Sequence, residues 1–294
     1  MTKMYLGVQM NIKWLIQSTG IKMSNALILA EALQSLNVEY NDLAIFENKI
    51  LNLDEILKDD YIYITKGGIT FLKMIENLKN NNLNISTLNE HLSQSIIKKS
   101  NLYIDKLINS IDYDMERFNQ HYYSKLDLPL LNKEAQYIPY NEIKTLSFDN
   151  DYFIKPSKDL KSFNGGILNN GETLLNYIYR NGYMKAIEEE TIILAPIKKI
   201  YSEYRFFMYK NEIISGSRYM LNNKVDVNKD IPTFMMEAAR DYGKLYQPLD
   251  LYVMDLASTD NGVEIVEYNC WNASGFYESN INKIINTINE IKKN

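Results

Sequence analysis

Asp255, Glu267 and Asn269 stand near the end of the chain in the stretch VMDLASTDNGVEIVEYN. Glu267 and Asn269 are two residues apart, so on an extended backbone they project from one face. A hairpin turning over 258–262 can set Asp255 opposite Glu267. Two carboxylates and an amide carbonyl then converge. Such a hard-oxygen set suits Mg²⁺ and leaves positions for phosphate oxygens. Without a cation, carboxylates that close would repel one another. Asp255 sits between Met254 and Leu256, a poor setting for a surface residue.

Three further groups could carry chemistry. In FIKPSKDLKSFNGG, residues 153–166, Lys155 leaves a strand, while Lys158 and Lys161 lie on a loop ending in Gly165 and Gly166. Lysines so placed can clamp phosphate, and glycines let backbone N–H groups approach its oxygens. A solvated basic loop explains the motif equally well, and no Walker loop is present. In YSEYRFFMYKNEIISGSRY, residues 201–219, Glu203 and Arg205 share a face and Arg218 lies on the next strand. An arginine there could neutralise a transferred phosphoryl group; a cross-strand ion pair is the plainer account. In NASGFYES, Ser274 and Gly275 could form a tight turn at a helix N-terminus that holds a substrate carboxylate, or a simple loop.

Composition narrows the chemistry. The only histidines are His91 and His121, and the only cysteine is Cys270. A Cys/His zinc site and Ser-His-Asp or Cys-His catalysis are poorly served by that supply. No disulfide can form within the chain, which suits a reducing, cytoplasmic setting. Cys270 reads as a small buried hydrophobe. A net charge of −5, from 32 basic and 37 acidic residues, argues against a dedicated nucleic-acid binder. No apolar stretch approaches the ~20 residues of a membrane helix. The abundant Ile, Asn, Lys and Tyr reflect an AT-rich genome.

Alternating strands and helices must position these groups. Residues 5–9 read as a first strand. Residues 24–36 have helical spacing, with Ala26, Leu29, Ala30, Leu33 and Leu36 on one face and Ser24 or Asn25 as cap. Strands follow at 38–45 and 61–65, then helical segments at 70–79 and 93–122. That order predicts a small α/β domain with a parallel sheet. Beyond Leu146 strands dominate: 151–155, 191–197, 203–209, 212–219, 251–257 and 263–268. Helices are expected at 172–180, 234–246 and 278–292, the last with Ile281, Ile284, Ile285, Ile288 and Ile291 on one side. Residues 222–232 read as a specificity loop.

The order of these pieces resembles the ATP-grasp superfamily, and within it the phage and bacterial clade named for its arginine and lysine residues. FIKPSKDLKSFNGG and EIVEYNCWNASGFYES carry the resemblance, which spans roughly 146–279. It implies an α/β (α+β) fold: a pre-ATP-grasp domain at 1–125 and an ATP-grasp module at 126–294. The module would have a small lobe at 146–195 and a large lobe at 196–294 sandwiching ATP. Lys155 and Lys161 would contact phosphates. The hinge would read adenine through Leu194, Ala195 and Ile197, although Pro196 has no N–H to offer. Glu203 would face the ribose or triphosphate, and Arg205 and Arg218 the reacting groups. Asp255, Glu267 and Asn269 would hold two Mg²⁺ ions, with Ser274 and Gly275 near substrate. The activity implied is carboxylate–amine ligation through an acyl phosphate, with peptide or small-molecule substrates. A nucleotide-binding module without ligation, or an ATP-grasp phosphotransferase, stays open, as does the oligomeric state.

Overall fold

A computed structural model of the chain describes residues 11–17, 24–46, 49–50, 61–68, 116–158, 162–182 and 190–290. The chain divides into two compact units. One comprises Met1–Tyr113 with Trp271–Phe276 and Asn280–Asn294; the other comprises Asp114–Cys270 with Tyr277–Ser279.

In the first unit, β1 (Asn11–Ile16) is the middle strand of a parallel sheet. It is flanked by β2 (Tyr40–Asp42) and, after the short hairpin β3 (Ile45–Phe46) and β4 (Lys49–Ile50), by β5 (Tyr61–Lys66). Trp14, Leu15 and Ile16 are all fully buried, as expected of a parallel strand covered on both faces. Helix α1 (Ser24–Ser35) buries Ala26, Leu29, Ala30 and Leu33, one stripe at helical spacing. It stops at Asn37, whose φ of 53° lets Val38 N–H reach the Leu33 carbonyl at 2.9 Å. The expected strand at 5–9 and helix at 70–79 lie outside the described residues, as does most of the helix at 93–122. β1 itself has no counterpart in the sequence reading, because Asn11 and Lys13 break its apolar pattern.

The second unit holds two antiparallel sheets. The smaller runs β6-β9-β7-β8, from β6 (Gln136–Pro139), β7 (Tyr152–Pro156), β8 (Gly166–Leu168) and β9 (Thr191–Pro196). Single helical turns α2 (Gln120–Tyr123) and α3 (Tyr140–Ile143) and the helix α4 (Leu174–Arg180) accompany it. Ile154, Ile192, Leu194, Leu174 and Ile178 form its core. Thr173 starts α4 by accepting from Asn176 N–H. Gly166 is required by a close approach: a Cβ there would collide with the Tyr177 hydroxyl, which donates to the Asn164 carbonyl at 3.1 Å.

The larger sheet has the order β12-β11-β10-β13-β14. Its strands are β10 (Ile200–Tyr209), β11 (Glu212–Leu221), β12 (Lys224–Asn228), β13 (Leu251–Thr259) and β14 (Gly262–Cys270). Helix α5 (Thr233–Leu245) buries Met235, Ala239 and Gly243. The segment read as a loop at 222–232 therefore contains a strand. Asn222 and Asn223, at φ 49° and 61°, make the two-residue turn that doubles the chain back. Every described residue of β13 from Leu251 to Ala257 is buried, so Asp255 is a core carboxylate.

Helix α6 (Ile281–Asn289) returns to the first unit, where Asn289 Oδ1 accepts from the Trp14 indole at 2.9 Å. The buried Lys66 fastens the segment before it. Its Nζ donates to the Trp271 and Ser274 carbonyls at 2.7 and 2.5 Å and lies 4.4 Å from the centres of the Trp271 and Phe276 rings. Those contacts replace the hydration that burial removes. Among the described residues no helix is long and apolar enough to cross a membrane.

Candidate active site

The β13–β14 hairpin brings Asp255 opposite Glu267 and Val253 opposite Asn269. A bulge inserts Val266 between the pairs Asp255–Glu267 and Leu256–Ile265, and both Val266 and Glu267 line one cavity. That cavity, of about 730 Å³, lies between the two sheets of the second unit. Lys155, Lys158, Gly165 and Gly166 line it from the smaller sheet, and Glu203, Tyr219 and Met220 from the larger.

Each hairpin carboxylate faces a protein cation. Arg205 stands opposite Asp255 on the neighbouring strand and grips it with two bonds, Nε to Oδ1 at 2.8 Å and Nη2 to Oδ2 at 2.6 Å. Asn269 Nδ2 adds a bond to Asp255 Oδ2 at 3.2 Å. Lys155 crosses from β7 to Glu267 Oε2 at 2.6 Å. Burial alone would push the Glu267 carboxyl up, but Lys155, Arg205 and the Asn269 amide together hold it down at about 2. Burial likewise works against the Arg205 charge, and Asp255 more than restores it, keeping the guanidinium above its usual range. The guanidinium carbon lies 5.6 Å from the Tyr219 ring centre and 5.2 Å from that of Tyr277. Those two rings stack at 5.0 Å. Both tyrosines lie in stretches singled out in the sequence, but neither was read as a site residue, and Tyr277 reaches its place through a φ of 50°.

Glu203 accepts from the Tyr219 hydroxyl at 2.6 Å. Burial raises its pKa; the Tyr219 bond opposes this, and the charges of Asp255 and Glu267 add to the rise. A carboxyl raised on folding favours the fold when protonated. Its contribution is full below the ordinary value of 4.5 and is lost as pH rises through the raised one. Glu203→Gln keeps an acceptor for Tyr219 and removes the charge. The variant should be more heat-stable than wild type at pH 7 and lose that advantage below pH 4.5. Melting curves at the two pH values check this; an unchanged difference contradicts it.

The remaining candidates are placed as follows. Arg218 pairs with Tyr204 across β10 and β11, so it shares the face opposite that of Glu203 and Arg205. There Asp226 holds it, with Nε at 3.0 Å, and the structure does not bring it to the cavity. Leu194 and Ala195 are buried, whereas Pro196 and the half-exposed Ile197 line the cavity. Lys158 lines it too, 3.4 Å from Glu116. Lys161 lies outside the described residues. Ser274 and Gly275 belong to the first unit. The helix expected from 278 begins at Ile281: Asn280 caps α6, accepting from Lys283 N–H at 2.9 Å, so Ser274 and Gly275 do not stand at its N-terminus. Cys270 is fully buried.

Among the described residues no group of three or more His, Cys, Asp and Glu side chains gathers as a metal cluster. Asp255 and Glu267 with the Asn269 carbonyl are nonetheless the donor chemistry of a hard divalent ion. Two carboxylates leave most coordination positions to phosphate oxygens and water, as fits an ion that arrives with a nucleotide.

Solved structures with this fold include a D-alanine–D-alanine ligase from Bacillus anthracis in complex with ATP. It is 13% identical at a TM-score of 0.57, with 95% of this chain and 92% of that one covered. The ATP-grasp ligase PsnB in complex with a minimal precursor is 10% identical at a TM-score of 0.54, covering 95% and 98%. At such identities the likeness is one of fold. Against curated proteins the chain has no match. The model for family 3 of the arginine-and-lysine clade of ATP-grasp domains matches residues 109–288, more than half of the 294. Register, cavity and family model agree, and the chain belongs to the ATP-grasp proteins of that clade's family 3.

Proposed function

We propose that the chain is an ADP-forming carboxylate–amine ligase that uses Mg²⁺–ATP. The observation that carries this reading is the convergence of Lys155, Glu267 and Glu203 on one cavity, with Asp255 in register behind. ATP-grasp ligases are among the structural neighbours, one complexed with ATP and one with a precursor peptide. Both support an amino-acid or peptide carboxylate as substrate.

In this reading Asp255, Glu267 and Asn269 hold Mg²⁺, which supplies charge neutralisation at the phosphates. Lys155, released from Glu267, contacts the phosphates together with Lys158, and Lys161 of the same basic stretch adds positive charge. Glu203 accepts from the ribose hydroxyls. Arg205 is a positioning residue: it holds Asp255 at a fixed angle through two bonds. A substrate carboxylate oxygen attacks the γ-phosphorus, and ADP leaves with the bridging oxygen. The amine nitrogen then attacks the acyl carbon, loses a proton, and phosphate leaves. Positioning and charge stabilisation suffice for both steps, with no protein nucleophile. That matches a chain with two histidines and one cysteine.

ADP release from Mg²⁺–ATP, with pooled amino acids and short peptides, tests the reading. Release that needs both a carboxylate and an amine is expected. Tight Mg²⁺–ATP binding with no release across broad pools would point instead to a nucleotide-binding module. Release with a hydroxyl compound alone would point to a phosphotransferase.

A further inference from the structure

Among the described residues, both amide atoms of Gln120 and the hydroxyls of Tyr137 and Ser157 are buried without a hydrogen-bond partner. Gln120 is 1% exposed and Ser157 3%. Such groups are costly unless something satisfies them.

Strand register gathers them around Lys155. Tyr137 on β6 and Lys155 on β7 stand opposite Ile193 of β9 from its two sides, so all three side chains project from one face of the smaller sheet. Ser157 lies two residues beyond Lys155 and continues the ladder, its N–H donating to the Thr191 carbonyl at 2.9 Å, so it shares that face. The opposite face carries Ile138, Ile154, Ile192 and Leu194 into the core of the sheet. Turn α2 covers the first face: Gln120 N–H donates to the Ser157 carbonyl at 2.9 Å, and the His121 ring stacks on Tyr137 at 4.9 Å. Burial pushes the Tyr137 phenol up; Ser124, Gln120 and the Lys155 charge draw it partway back, although neither Ser124 nor Gln120 is aligned to bond it. Tyr123, Lys155 and Ser157 line the cavity, so the cluster borders it.

An ammonium has three N–H groups. Lys155 gives one to Glu267 Oε2 at 2.6 Å. In the proposed reaction Mg²⁺ takes that carboxylate, and a buried ammonium that loses its anion needs other acceptors. Gln120 Oε1, Tyr137 Oη and Ser157 Oγ are acceptors on or against its own face of the sheet. All three are neutral. They satisfy N–H groups without cancelling the charge, which stays available to phosphate; a carboxylate in their place would compete for it.

We propose that Gln120, Tyr137 and Ser157 are positioning residues that receive the Lys155 ammonium when the metal claims Glu267 and hold it at the nucleotide phosphates. This rests on the nucleotide reading of the cavity and names what steadies its lysine. A crystal structure of the full chain carrying Glu267→Gln, without nucleotide, tests it directly, because that substitution removes the anion now holding Lys155. Nζ should stand about 3 Å from at least one of the three oxygens. Nζ still held at position 267, or turned into the open cavity, overturns the inference and leaves the nucleotide site standing. Calorimetric titration with Mg²⁺–ATP reads the consequence. Gln120→Leu and Tyr137→Phe should each weaken binding by about tenfold, the scale of one hydrogen bond to a charged group. Melting curves report whether the variants fold; Tyr137→Phe removes a single oxygen and carries the comparison if Gln120→Leu does not. With Lys155→Met in place the same changes should add less than about twofold. Undiminished affinity in the folded variants overturns the inference. So does an equal loss with Lys155→Met in place, since the groups would then meet the nucleotide themselves. A wild type that binds no Mg²⁺–ATP overturns the nucleotide reading and this inference with it.

Discussion

Asp255→Ala should lower the stability of the second unit by about 3–5 kcal/mol, the cost of leaving a buried charge without its partner. The charge left behind is the Arg205 guanidinium, whose side chain is 11% exposed beside an Asp255 at 2%. The two stacked tyrosine rings beside it offer it no anion. Arg205→Leu strands the carboxylate instead and should cost as much. Replacing both at once, Arg205→Met with Asp255→Leu, removes the two charges together and should regain most of the loss, since buried pairs often exchange for apolar groups at little cost. The same double variant should release no ADP. Urea unfolding of the three variants checks the stabilities, and ADP release checks the activity. If the double variant is as unstable as either single one, or retains turnover, the pair does not do what is described for it.

Glu267→Gln should reduce Mg²⁺-dependent turnover on the order of 10³-fold, the scale seen when one group that stabilises developing charge is removed. Its effect has two parts with opposite signs. The amide is a weaker metal ligand, so the Mg²⁺ concentration needed for half-maximal rate should rise. It also frees Lys155, now 2.6 Å from Glu267, to meet phosphate without first breaking an ion pair. Binding of ATP without Mg²⁺ should therefore hold steady or strengthen in the variant while turnover collapses. Rates measured across a Mg²⁺ series, together with ATP binding in the presence of a chelator, separate the two. A parallel loss of both would place Glu267 in nucleotide contact rather than in metal binding.

Local pattern accounts for what could be read from the sequence. The turn residues Asp260-Asn261-Gly262 mark the β13–β14 hairpin, but the register of that turn alone would set Asp255 opposite Val266; the bulge at Val266 sets Glu267 there instead. The face of α1 follows from its 3.6-residue period. Pairings between distant segments were not legible. Arg205 reaches Asp255 because β10 lies beside β13, a neighbour relation across fifty residues that no local motif encodes. Arg218 leaves the cavity because a bulge at Ile214, between the pairs Phe207–Ser215 and Met208–Ile213, shifts the register set by the hairpin turn by one residue, so that Arg218 meets Tyr204 rather than Glu203. Helix α6 shows an apolar stripe, but the stripe does not say that Trp14 will meet it.

The measurement that bears most directly on the ligase mechanism follows an oxygen atom. Substrate pools labelled with ¹⁸O in their carboxylates are incubated with the chain, Mg²⁺–ATP and an amine, and the released phosphate is analysed by mass. Attack of the carboxylate on the γ-phosphorus, followed by amine displacement, leaves one labelled oxygen in each phosphate formed with ADP. ADP accompanied by unlabelled phosphate would mean that no acyl phosphate had formed, and the carboxylate–amine ligase account would fail.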